Sequence, residues 1–242
     1  MSQSWISGAI AVKAALLGEK RKIFQIIVLK DKINRDFKFI INQAEKRTIK
    51  VIVLNQKDFF QFPNAKTAAG IMAEVGPYIF PEFDYFNLSG WFVYLQGVED
   101  PFNFAYCLRS LYPAGCSGVL VEPRNWLTAS DTIIRSSAGA SEYLPIYQVE
   151  PDTLKNFIEK DYQLIAAQRS TTAVSLTDFV FPEKFVLVFG GEKRGISKEV
   201  LSQTSKYLYI KYQRDFKMAL NASSAVSVFA FTISKQLDKG EI

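Results

Sequence analysis

The stretch FGGEKRGIS, residues 189–197, follows the strand-forming run KFVLV and puts two glycines, a carboxylate, two cations and a third glycine into one turn. In open parallel sheets, ligands sit beyond the carboxyl ends of strands, where glycines let backbone amides approach closely. Gly190 and Gly195 have P-loop spacing, but Ile196 stands where the phosphate-gripping lysine belongs. The G-x-G-x-x-G dinucleotide pattern is not met either. A plain glycine-rich turn between strand and helix is the competing reading of this stretch alone.

Two other strand ends carry polar residues of interest. In WFVYLQGVEDPFNFAYCLRS, Asn103 falls near a helix N-terminus and Arg109 near the other end of that helix. Arg109 is flanked by Leu108 and Leu111 in an otherwise uncharged segment. That setting suits a specific anion contact, although a lone helical arginine is usually solvated. In YLYIKYQRDFKMALNASSAVSVFAF, Ile210 ends a strand and Leu220-Asn221-Ala222-Ser223 opens an almost uncharged helix. Asn221 or Ser223 there reads by default as the helix N-cap.

Composition removes several chemistries. The 242 residues include no histidine, which excludes Ser/His and Cys/His catalysis and histidine-based metal sites. Cys107 and Cys116 alone make a poor zinc site, so no metal is expected. Two cysteines also fall short of a secreted disulfide scaffold and point to the cytoplasm. The start, MSQSWISGAIAVKAALLGEKRK, lacks a basic segment before its apolar stretch and reads as an amphipathic helix, not a signal peptide. No apolar run approaches the roughly 20 residues of a membrane span. Charge is uneven: residues 1–80 hold 13 Lys and Arg against 6 Asp and Glu, and residues 81–242 hold 16 against 18. A basic front on a near-neutral remainder suggests a polyanionic partner.

The elements that must position these residues alternate. In the first 80 residues GAIAVKAALL reads as helix, IFQIIVL as strand, RDFKFIINQAEKR as helix and KVIVL as strand, with AGIMAEV a candidate third strand. Phe37, Ile40, Ile41 and Ala44 share one face of the second helix. The stretch GPYIFPEFDYFNLSG (76–90), with two prolines and two glycines, is the expected domain boundary. From residue 91 the expected strands are WFVYL, GVLVE, YQLIAA, KFVLVFG and YLYI. The helices between and after them are NFAYCLRSLYPAG, ASDTIIRSSAGA (capped by Ser130 or Asp131), PDTLKNFIEKD, SKEVLSQT and NASSAVSVFAFTISKQL. Strands separated by helices imply an α/β fold with a largely parallel sheet.

Three ordered segments, GVEDPFNFAYCLRSLYPAGCSGVLVE, FVLVFGGEKRGIS and YIKYQRDFKMALNAS, resemble the motifs of the SpoU (TrmH-like) RNA ribose 2′-O-methyltransferases of the SPOUT superfamily. SSAGASEYLPIYQV resembles a family segment between the first two motifs. Residues 91–242 would then form the SPOUT methyltransferase domain, and residues 1–80 resemble an L30e-like substrate-binding domain. The third motif departs from the family. Lys211 replaces a proline, YQRDFKM replaces a glycine-bearing loop, and Ala219 replaces a serine.

The resemblance implies a C-terminal trefoil knot, a homodimer, S-adenosylmethionine as cofactor, and RNA as substrate, rRNA in preference to tRNA. It implies that Gly190, Gly191, Ile210, Leu220 and Asn221 contact the cofactor. Glu192, Asn221 and Ser223 would order the knotted loops. Arg109 would orient ribose and phosphate, and Asn103 would hold local geometry or touch ribose. Two rivals stand beside it. One is a catalytically silent RNA-binding relative, in which Lys211, Arg214 and Lys217 form an RNA-facing patch. The other is an unrelated nucleotide-binding enzyme using GGEKRG as an anion loop.

Overall fold

The computed structural model describes residues 3–85, 87–124 and 129–238. In chain order its elements are β1 Ser4–Ser7, α1 Ala9–Gly18, β2 Ile23–Leu29, α2 Arg35–Lys46, β3 Lys50–Leu54, α3 Gln56–Phe59 and β4 Ile71–Val75. Next come β5 Trp91–Gln96, α4 Pro101–Leu111, β6 Gly118–Val121, α5 Ser130–Ser136, α6 Ala140–Tyr143, β7 Ile146–Gln148 and α7 Leu154–Ile158. The rest are β8 Gln163–Ala167, β9 Val174–Ser175, β10 Phe185–Gly190, α8 Lys198–Gln203, β11 Lys206–Tyr209 and α9 Ala222–Leu237. The chain packs as two units, one holding residues up to Phe80 together with α5 and α6, the other holding the remainder. The second domain expected over 91–242 counts α5 and α6 with the methyltransferase segment; by packing they join the first unit.

The first unit is built on a four-stranded sheet of order β1-β4-β2-β3, with β2 parallel to β3 and β4 antiparallel to β1 and β2. Ile26 and Val28 of β2 pack with Val12 and Leu16 of α1 and with Phe37, Ile40 and Ala44 of α2. The apolar face of α2 is therefore the one its spacing predicts, started by Asn34, whose side chain accepts from the Phe37 amide at 3.0 Å. β1 is four residues long and escapes a periodicity test.

The cap of α5 differs from expectation. Ala129 sits at the N-cap and no side chain caps the helix. Asp131 Oδ1 instead accepts from the backbone amide of Ser7 at 2.7 Å and from its hydroxyl at 2.8 Å. One cation of the basic front is withdrawn from the surface in the same unit. Arg21 donates through Nε and Nη2 to the two carboxylate oxygens of Glu142, at 3.0 and 2.8 Å, and through Nη1 to Ser130 Oγ at 3.1 Å. Both side chains of the pair are at most 4% exposed.

The second unit carries a seven-stranded sheet of order β7-β6-β5-β10-β8-β11-β9 in which every pairing is parallel. β5 is buried along its whole length and β10 up to Gly190, as continuous apolar runs in a sheet covered on both faces must be. β7 and the two-residue β9 are too short to read from sequence. Where one helix was expected from Pro151, a 3-10 turn over Pro151–Thr153 leads into the shorter α7. The aromatics of the proline-rich stretch have a packing role. Phe83 meets Phe92, Tyr147 and Phe157 with ring centroids 5.8, 4.6 and 5.1 Å apart.

The register of β5 and β10 fixes where their loops begin. It runs from Phe185↔Trp91 to Gly190↔Gln96, so both strands end at the same level and their loops leave side by side. α9 packs on α4, with the hydroxyls of Ser110 and Ser227 2.7 Å apart.

Replacing Glu142 with alanine strands the Arg21 guanidinium in the interior. We expect Glu142→Ala to lose about 3–5 kcal/mol of stability. Urea denaturation read by tryptophan fluorescence checks this; a loss below about 1 kcal/mol would mean that the pair is solvated.

Candidate active site

The three polar strand ends meet. Glu192 Oε1, two residues beyond β10, accepts from Asn103 Nδ2 at 2.6 Å and from Asn221 Nδ2 at 3.0 Å. Asn221 Nδ2 also reaches Asn103 Oδ1 at 3.1 Å. Its oxygen faces the other way, accepting from the amide of Ser223 at 2.8 Å and from its hydroxyl at 2.7 Å. The default N-cap reading of Asn221 therefore holds together with a site role, because an amide side chain has two ends.

Local geometry explains why each residue arrives there. Asp100 caps α4 and accepts from the Asn103 amide at 2.8 Å, fixing Asn103 in the first turn of the helix. The turn after β10 closes on itself, the Gly195 amide donating to the Gly191 carbonyl at 2.9 Å, with Gly195 at φ +64°. A Cβ at Gly190 would strike Gly195 and Ile196, and one at Gly191 would strike the carbonyl of Gly97 in the loop after β5. The two glycines are thus required first by chain meeting chain. Gln96 and Ser197 add a reciprocal pair: the Ser197 amide donates to Gln96 Oε1 at 2.8 Å and Gln96 Nε2 to Ser197 Oγ at 3.1 Å.

Beside this junction, past the carboxyl ends of β8, β10 and β11, lies a cavity of about 470 Å³. Gly190, Gly191, Ile210 and Leu220, all expected to contact a cofactor, line it, as does Glu192. Asn221 is not among the lining residues; its amide faces Asn103 and Glu192. Phe189, Ile196, Leu208 and Phe229 give the cavity apolar walls, and Arg169 and Lys217 give it cations. A second cavity of about 340 Å³ shares Glu192 and Ala222 with the first and is bordered by Asn103, Asp100 and Lys193.

Arg109 is not part of this junction. It lies exposed in the last turn of α4, six residues or about 9 Å of helix beyond Asn103, and lines neither cavity. Sequence reasoning missed Gln96, Gly97, Arg169 and Tyr212. Gly97, at φ +65°, directly follows an apolar strand, and that position was the available signal.

A family model described as the SpoU rRNA Methylase family matches residues 90–231. The chain belongs to that family. A second model, described as RNA 2′-O ribose methyltransferase substrate binding, matches residues 5–81. A Staphylococcus aureus protein named as a TrmH family tRNA/rRNA methyltransferase is 26% identical over 253 residues, covering 100% of both chains. Two solved structures share the fold. One is an RNA 2′-O ribose methyltransferase, with TM-score 0.77 and 18% identity over 97% of this chain and 88% of that one. The other is the SpoU methyltransferase AviRb from Streptomyces viridochromogenes in complex with AdoMet, with TM-score 0.77 and 16% identity over 97% and 90%. As a member of the SpoU family, the chain is an RNA methyltransferase with an N-terminal substrate-binding domain.

Neither Cys107 nor Cys116 lines either cavity. Burial pushes Cys107 and Cys116 up to about 12. Among the described residues no three Cys, Asp or Glu side chains converge on a possible metal position, and no helix is long and apolar enough to cross a membrane. Burial keeps both cysteines as thiols, not the reactive thiolate. Iodoacetamide should leave both cysteines of the folded protein unmodified and label both in urea; rapid labelling of the native protein would contradict their burial.

Proposed function

We propose that the chain transfers a methyl group from S-adenosylmethionine to a ribose 2′-hydroxyl of RNA, with rRNA the expected substrate. The observation carrying this is the junction of Asn103, Glu192 and Asn221, in which Glu192, on the wall of the cavity, ties the turn after β10 to the starts of α4 and α9. The cavity fits the cofactor. Its volume is within the 300–1,000 Å³ typical of small-molecule sites. Its apolar walls suit an adenosine, and the charges of Arg169, Glu192 and Lys217 on its lining suit an amino-acid end. Gly190, Gly191, Ile210 and Leu220 would hold the cofactor largely through backbone, as their places in the cavity lining favour. When bound, S-adenosylmethionine supplies an activated methyl group on a sulfonium.

The chain's own part is positioning. Glu192, fixed by two amide donors, locks the turn over Gly191 to the first helix of this unit and to the last. Ser223 and Asn221 start α9 at that point. The convergence of residues from 190–196 and 210–220 on one cavity is what threaded loops would produce, and we include the trefoil knot in the proposal.

A homodimer completes it. Phe102, Tyr106 and Arg109 fall at i, i+4 and i+7 of α4, one exposed stripe, with Phe102 and Tyr106 49% and 44% exposed. On α9, which packs against α4, Val228 and Phe231 are 41% and 53% exposed. We infer that a second copy covers this apolar face and that Arg109 serves that copy's site. An arginine stays protonated in proteins and does not act as a base. It would orient the ribose and its phosphate by its planar donors and stabilise charge on the reacting oxygen. A cytoplasmic location suits the two free thiols.

Labelled S-adenosylmethionine and unmodified total RNA test this. Wild type should place label on ribose, seen as alkali-stable dinucleotides; label on bases, or none, would overturn it. Arg109→Ala should lower kcat by roughly 10²–10³, and Arg109→Lys should not restore it. Mixing Arg109→Ala with Gly191→Ala should recover about one quarter of wild-type activity through mixed dimers. No recovery would place Arg109 in its own chain's site.

RNA binding by the basic substrate-binding unit should fall with salt, by about 0.7 in log K per log salt for each single-strand phosphate contact. A flat dependence, measured by filter binding, would contradict a phosphate-reading role for that unit.

A further inference from the structure

The segment between β11 and α9 carries Lys211, Arg214 and Lys217 against one acid, Asp215. Its inner side is pinned at the cavity. The Tyr212 hydroxyl accepts from the Leu220 amide at 3.2 Å, tying together residues eight apart, and the Arg169 guanidinium lies 4.2 Å over the Tyr212 ring. Tyr212, Lys217 and Leu220 line the cavity. The outer side faces water. Phe216 is 53% exposed and Met218 67% exposed, and the Phe216 ring centroid is 6.1 Å from that of Tyr212. Neither Phe216 nor Arg214 lines the cavity, so neither is needed to enclose a small ligand. Lys217 pairs with Asp215 at 2.6 Å, and Lys211 and Arg214 are exposed.

The face of an exposed aromatic ring among arginines and lysines finds no stacking partner on a duplex, whose base faces are stacked on one another. It matches a single strand, whose bases can stack on the ring while cations take the phosphates. We propose that the 211–219 loop docks a single-stranded stretch of substrate RNA at the lip of the cofactor cavity, with a base on Phe216 and phosphates on Lys211 and Arg214. The proposal rests on the RNA methyltransfer assigned to this cavity and adds the strandedness of the substrate and where it docks. The departure of this loop from the family pattern then marks a change of RNA contact, not a loss of activity.

Fluorescence anisotropy on the full-length protein tests it, with a labelled oligouridylate of about 12 nucleotides and a duplex RNA of the same length. Phe216→Ala should weaken the single strand roughly 5- to 160-fold and leave the duplex unchanged, with Phe216→Trp restoring binding. Arg214→Ala should lower the salt slope by about 0.7. Calorimetry should show unchanged S-adenosylmethionine affinity in both alanine variants, and light scattering an unchanged oligomer. The dock is overturned if wild type ignores the oligouridylate, if Phe216→Ala binds it normally, if cofactor affinity falls in step, or if the variant changes oligomeric state. A wild type that binds the oligouridylate but no S-adenosylmethionine would instead sink the enzyme reading and leave the dock standing.

Discussion

The site depends on one close approach of backbone to backbone. β5 and β10 end in register, Gly190 beside Gln96, and the next residues, Gly97 and Gly191, lie so close that a single methyl group at position 191 would push them apart. Two strand-end loops can share one ligand cavity only if they leave the sheet together. The apolar runs of the two strands set that level, because both are buried and a slip would break the Trp91–Phe185 stack, whose centroids are 5.7 Å apart. Everything polar at the site is arranged around this contact: Glu192 follows Gly191, Asn103 follows Gly97 by six residues, and Asn221 reaches both.

The junction is economical in groups. One carboxylate oxygen accepts two amides, and one asparagine both caps a helix and ties three segments together. Two of the three side chains are neutral amides, the single carboxylate oxygen that binds them is occupied as an acceptor, and the chain has no histidine to offer. That suits a reaction in which an activated group arrives on the cofactor and the protein contributes alignment, which alone can supply on the order of 7–11 kcal/mol.

Much of this is legible in sequence. The strands WFVYL and KFVLVFG and the helix face of Phe37, Ile40 and Ala44 form as their patterns require, and the family motifs single out Asn103, Glu192 and Asn221, which the fold brings together. What is illegible is long-range. Asp131 looks like a helix cap, but Ser7, 124 residues away, claims its carboxylate. Arg21 looks like one of the surface cations, yet its partner lies 121 residues on. Tyr212 sits in a segment with no period at all, and only the fold reveals that its hydroxyl holds Leu220. Short edge strands such as Val174–Ser175 have too few residues to show a period.

The most direct test of the account is calorimetric titration of S-adenosylmethionine into wild type and Gly191→Ala. Wild type should bind one equivalent per chain, and Gly191→Ala, still folded by circular dichroism, should bind none, because its methyl group separates the two loops. Wild-type affinity in Gly191→Ala would contradict the claim that this backbone contact builds the site.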